Sequence, residues 1–85
     1  MNYKVKEVVM LYTENDTIIP DGFGGWEAVN VGTADATVLG YPIAPGEGIT
    51  RKDLPPYVKY DSQIAITVNP GAAVRISMFY YSKQG

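Results

Sequence analysis

Glycine and proline punctuate this chain so closely that no stretch of ten or more residues carries a helical period. Nine Gly and six Pro are spread over 85 residues, and the runs between them are short and rich in Val, Ile, Tyr and Thr. Such residues favour a pleated, half-buried backbone, while Gly and Pro mark the places where it must turn. The pattern predicts an all-β fold: a small antiparallel sandwich or jelly-roll-like barrel of seven or eight short strands. The length leaves room for one domain, residues 1–85.

The strands can be placed from alternation and turn chemistry. Asn2 to Thr13 starts with Tyr3, Val5, Val9 and Leu11 on one face, interrupted by Glu7. Its other face becomes apolar through Val8, Met10 and Tyr12. Thr17-Ile18-Ile19 is a short strand stopped by Pro20, and a glycine-rich loop, Asp21 to Gly25, follows. Trp26 to Val31 places Trp26, Ala28 and Asn30 on one side. After a turn at Gly32–Asp35, Ala36–Leu39 is expected to return. Gly40 would bend it, with Tyr41-Pro42-Ile43 continuing as an edge segment, because Pro42 cannot donate to a ladder.

Ala44-Pro45-Gly46-Glu47 and Asn69-Pro70-Gly71-Ala72 both have the Pro-Gly order of a type II turn. Ile49–Arg51 is a further short strand, and Tyr57–Tyr60 a candidate edge strand. Gln63–Val68 alternates strictly, and Ala73–Ser82 puts Val74, Ile76, Met78 and Tyr80 on one face against Arg75, Ser77, Phe79 and Tyr81 on the other. These last two runs, joined by a tight turn, read as an antiparallel pair.

The residue inventory points away from chemistry. There is no histidine and no cysteine, so the usual proton shuttle and the thiolate nucleophile are both missing. Glu14, Asp16, Asp21, Asp35, Glu47, Asp53 and Asp61 fall in turns and at strand ends, where carboxylates are normally solvated. Glu14-Asn15-Asp16 lacks the length and the required Gly of a calcium loop and reads as an Asx-rich turn. Gly22-Phe23-Gly24-Gly25 lacks the Lys-Ser/Thr ending of a phosphate loop. The expectation is no enzyme, no cofactor and no metal.

A formal net charge of −2, with no long basic run, argues against nucleic acid and against an anionic membrane surface as partners. The apolar run Val8–Tyr12 is too short for a signal-peptide core or a membrane span.

What stands out instead is aromatic content: seven Tyr, two Phe and one Trp. Phe79, Tyr80 and Tyr81 place large rings on both faces of one strand. A thin domain can cover only one of those faces, so the other is expected to meet a second protein surface. The residues expected in such an interface are Tyr57, Tyr60, Phe79 and Tyr81. Phe23 and Trp26 mark a ligand or interface loop, and the alternative function is a carbohydrate-binding or adhesion module that stacks sugars on these loop aromatics.

Val29-Asn30-Val31-Gly32-Thr33, followed by Ala36 to Gly40 and then Tyr41-Pro42-Ile43-Ala44-Pro45-Gly46-Glu47-Gly48-Ile49-Thr50, resembles small β-sandwich structural proteins of tailed bacteriophages. The likeness lies in a strand ending Asn-x-Gly, a short return strand, a Gly, and an apolar residue before Pro-Gly-Glu. It implies a capsid-accessory, decoration, fibre or adaptor subunit that self-associates and docks onto a capsid or tail protein. Such a subunit would be assembled into the virion in host cytoplasm. The resemblance carries over no functional residue.

Overall fold

The computed structural model describes residues 2–51 and 58–84, and within them every regular element is a strand. In chain order these are β1 (Asn2–Tyr12), β2 (Asp16–Ile18), β3 (Trp26–Asn30), β4 (Ala36–Val38), β5 (Tyr41–Ile43), β6 (Gly48–Arg51), β7 (Ile64–Val68) and β8 (Val74–Gln84). They form two four-stranded antiparallel sheets, one ordered β1-β8-β3-β6 and the other β2-β7-β4-β5. This is the sandwich expected from the alternation.

Burial follows period two. On β3 the side chains of Trp26, Ala28 and Asn30 point inward, and on β8 those of Val74, Ile76 and Met78 do. Ile18, Val38, Ile43, Ile64 and Ile66 face them from the second sheet, and Phe23 and Ala36 complete the core.

The connections differ from the sequence reading. Apart from β4 and β5, every pair of consecutive strands sits in opposite sheets. Both Pro-Gly turns form as expected: Glu47 N–H donates to Ala44 O at 2.9 Å with Gly46 at φ 86°, and Ala72 N–H donates to Asn69 O at 2.9 Å with Gly71 at φ 92°. The second turn does not make a hairpin, however. β7 pairs with β2 and β4, whereas β8 pairs with β1 and β3. The apolar faces of β7 and β8 look at each other across the sandwich, a relation that gives the same alternation as in-sheet pairing.

Two further expectations are corrected. Ala36–Val38 does not return on β3 but crosses to the other sheet. Nor does Gly40 merely bend one strand, because Leu39 and Gly40 (φ 53° and 81°) reverse the chain into a two-residue hairpin. Positive φ at both loop positions is the type I′ geometry whose twist matches the strands. Residues 58–60 are not in a strand, and Tyr57 lies outside the described residues.

The corner between β3 and β4 is organised by Asn30, a polar residue with no exposed surface. Its side-chain Nδ2 donates to Ala34 O (2.7 Å) and Ile43 O (3.0 Å), and its Oδ1 accepts from Gly32 N–H (3.0 Å). Its backbone donates to Glu47 O and accepts from Gly46 N–H. The Glu47 carboxylate in turn accepts from Ala44 N–H at 2.8 Å. The Asn30–Gly32 and Pro45–Glu47 segments are therefore one hydrogen-bonded unit. Asn30→Ala would leave two carbonyls and one amide without these partners, at a cost of about 3 kcal/mol. Urea denaturation should show that loss as a lower midpoint with an unchanged slope.

Candidate functional site

The features that could serve function all lie along β1 and its neighbour β8. The two strands pair without a bulge from Asn2↔Gln84 to Tyr12↔Val74. β3 reaches only Met78, and Gly24 and Gly25 extend that ladder to Phe79. The β1–β8 ribbon thus runs on past the sandwich, giving the molecule extents of 46 × 20 × 17 Å.

Register places Val5 beside Tyr81, Glu7 beside Phe79, Val9 beside Ser77 and Leu11 beside Arg75 on the face turned away from the core. Val5, Val9 and Leu11 are each more than half exposed, and Phe79 and Tyr81 are half-buried. Tyr81 lies over Gly24, where an added Cβ would come within 3.2 Å of its ring and 3.0 Å of Val58 O. That glycine is what allows the ring to settle on the loop. Val29 adds a half-buried side chain to the same face.

The loop aromatics stand elsewhere. Phe23 and Trp26 have no exposed surface. The expectation that they form a ligand or interface loop is corrected, since neither offers a ring face to a sugar or a partner. Tyr60 covers them: it stacks on Phe23 with centroids 6.0 Å apart and meets Trp26 edge-on at 5.7 Å. Its N–H also donates to Phe23 O. Tyr60 is therefore engaged within the molecule as the rim of a core cluster, not as a projecting contact. The Trp26 indole nitrogen is buried without a hydrogen-bond partner, a cost of roughly 1–3 kcal/mol that is offset by burying the ring. Of the expected interface residues that lie among the described residues, Phe79 and Tyr81 share the outer face and Tyr60 does not join them.

On the core side, a cleft of about 470 Å³ is lined by Lys6, Val8, Asp21, Tyr80 and Ser82. It adjoins a second hollow lined by Val8, Met10 and Tyr12 of β1 and by Thr17, Ile18 and Ile19 in and after β2. Tyr80 donates its hydroxyl to Asp21 Oδ1 at 2.6 Å and meets Phe23 edge-on, which ties the loop after β2 to β8. Burial, the hydrogen bond to Asp21 and the Asp21 charge together push the Tyr80 pKa up to about 12. Tyr12 is raised as well, by burial first and by Asp16 second.

The Glu14–Asp16 segment uses two of its side chains as backbone acceptors, one of them tying it to β7. Asn15 Oδ1 accepts from Val68 N–H at 2.7 Å and Asp16 Oδ1 from Thr17 N–H at 2.7 Å. Among the described residues no group of three or more carboxylates could hold a metal ion.

The exposed apolar residues of β1 are the part of the site that sequence reasoning missed. The signal is present in the apolar residues that occupy both faces of the strand, Val5, Val9 and Leu11 on one and Val8, Met10 and Tyr12 on the other. No family model, curated protein or solved structure matches the chain.

The raised Tyr80 pKa sets a pH dependence. The folded state favours the protonated phenol, so its contribution is complete below pH 10 and is lost as pH climbs towards about 12. Stability measured by denaturant titration should fall across that interval, and less steeply in Tyr80→Phe. Absorbance titration should show a late-ionising tyrosine that disappears in Tyr80→Phe.

Proposed function

We infer that this chain is a structural subunit that works by binding protein, joining copies of itself and docking onto a larger assembly. The setting is the virion of a tailed bacteriophage, in a capsid-accessory, decoration, fibre or adaptor role. Self-association is supported by the outer face of the β1–β8 ribbon, where Val5, Val9 and Leu11 are each more than half exposed and the half-buried rings of Phe79 and Tyr81 share the face. The virion setting rests on the likeness of the Asn30–Gly32 and Pro45–Glu47 segments to phage sandwich proteins.

The physical case is one of cover. A four-stranded sheet buries one face against its companion sheet and leaves the other to water. That face is normally polar in a soluble monomer, and contiguous apolar area on it marks a contact surface. Here the apolar residues sit on the longest strands of the molecule, where one partner could cover them all. With about 85 residues, the domain also has a thin stability margin that subunit contact would widen.

Light scattering on the purified protein should report a multimer whose population grows with concentration. Leu11→Asp, at a position more than half exposed, should keep the fold and weaken association at least about tenfold, equal to 1.4 kcal/mol. A protein that stays monomeric at every concentration and binds no virion protein would end this reading.

A further inference from the structure

Among the described residues the sandwich has four sheet edges, and three of them are short. β2 is three residues long, β5 is three residues with Pro42 at its centre, and β6 is four residues. Short strands and proline are ordinary devices for stopping edge-to-edge pairing. β1 has neither device. It runs for 11 residues, contains no proline, and its register with β8 has no bulge. Among the described residues no strand pairs with its outer edge. Alternate N–H and C=O groups along such an edge are open to a further strand.

The charges on β1 are arranged unevenly. Lys4, Lys6 and Glu7 occupy its first half, Val8 to Tyr12 are uncharged, and Glu14 and Asp16 follow beyond its end. Two copies laid side by side in parallel would set lysine against lysine. Laid antiparallel, the lysine half of each lies beside the other's apolar half and points towards its acidic turn.

We propose that β1 pairs antiparallel with β1 of a second copy about a two-fold axis at Val8, fusing the two four-stranded sheets into one continuous sheet. This rests on the self-association argued above and names its geometry. An antiparallel two-fold keeps the outer face outer, so each residue meets one on the same face. Centring on Lys6 or on Glu7 puts like charges directly opposite, which destabilises a sheet. Centring on Val8 gives the longest overlap free of such a clash, Lys4 to Tyr12 of each copy. Val5 then meets Leu11, Glu7 meets Val9, and Lys6 meets Met10. The exposed Val5, Val9 and Leu11 of both copies form a single patch beside the two Phe79–Tyr81 pairs.

The test uses the full chain with substitutions at Val9, a side chain that is half exposed and makes no core contact. In this register a charge at position 9 faces Glu7 of the other copy, twice by symmetry. Val9→Glu should weaken the dimer by about tenfold, whereas Val9→Lys should bind as tightly as the parent or tighter, with an affinity that falls as salt is added. Because the chain has no cysteine, Val8→Cys provides a second reading: under mild oxidation it should cross-link faster than Glu7→Cys or Val9→Cys. If the protein multimerises but both charges at position 9 act alike, or Val8→Cys links no faster than its neighbours, the β1 pairing is wrong while self-association stands. A protein that is monomeric throughout overturns both.

Discussion

Asn30 is the interaction on which the corner of this sandwich depends. A chain that crosses between sheets after almost every strand must break its ladders repeatedly, and each break leaves backbone N–H and C=O groups that need partners. At the β3–β4 crossing the break is part-buried, with the Asn30 side chain itself fully covered. An amide side chain there can donate twice and accept once, and Asn30 does all three, to Ala34, Ile43 and Gly32. Its own backbone closes on the Gly46–Glu47 turn. One buried residue thereby holds the end of β3, the approach to β4, the end of β5 and the turn into β6. The Asn-x-Gly and Pro-Gly-Glu elements, distant enough in sequence to look independent, belong to this single constraint.

The opposite end of the molecule is closed by rings. Phe23 and Trp26 fill the interior, and Tyr60 and Tyr80 form its rim, the latter held by Asp21. Aromatic pairs at such separations add to the burial of their own area. With the loop aromatics turned inward, the loops have little left to offer a ligand. Much of the apolar surface that remains open lies on β1, and among the described residues no second layer stands above its outer side chains.

Much of the architecture was legible in the residues. Period-two runs located the eight strands to within a residue or two, and the same alternation grouped the side chains that share a face on β3 and β8. Both Pro-Gly turns were readable because proline fixes one dihedral and glycine permits the next. Phe79 and Tyr81 were readable as an outward pair on the same grounds. These are local properties: side-chain direction and turn geometry follow from a few consecutive residues. Partnership is not local. Whether β7 lies beside β8 or across from it, and whether Gly40 bends a strand or reverses it, depends on which pairing lets both sheets close on one core.

The residues alone determined that this chain is all-β, where it turns, and which face of each long strand is apolar. Only the tertiary structure decided which apolar faces are covered. Trp26 and Phe23 sit beside glycines and look exposed in one dimension, yet the Gly24–Gly25 ladder to Phe79 and the overlying Tyr60 seal them in. Val5, Val9 and Leu11 look like core and are more than half exposed, because β1 is the edge of its sheet and among the described residues no strand lies over its far face. Hydrophobicity is a property of the side chain, whereas burial is a property of what the rest of the chain places over it.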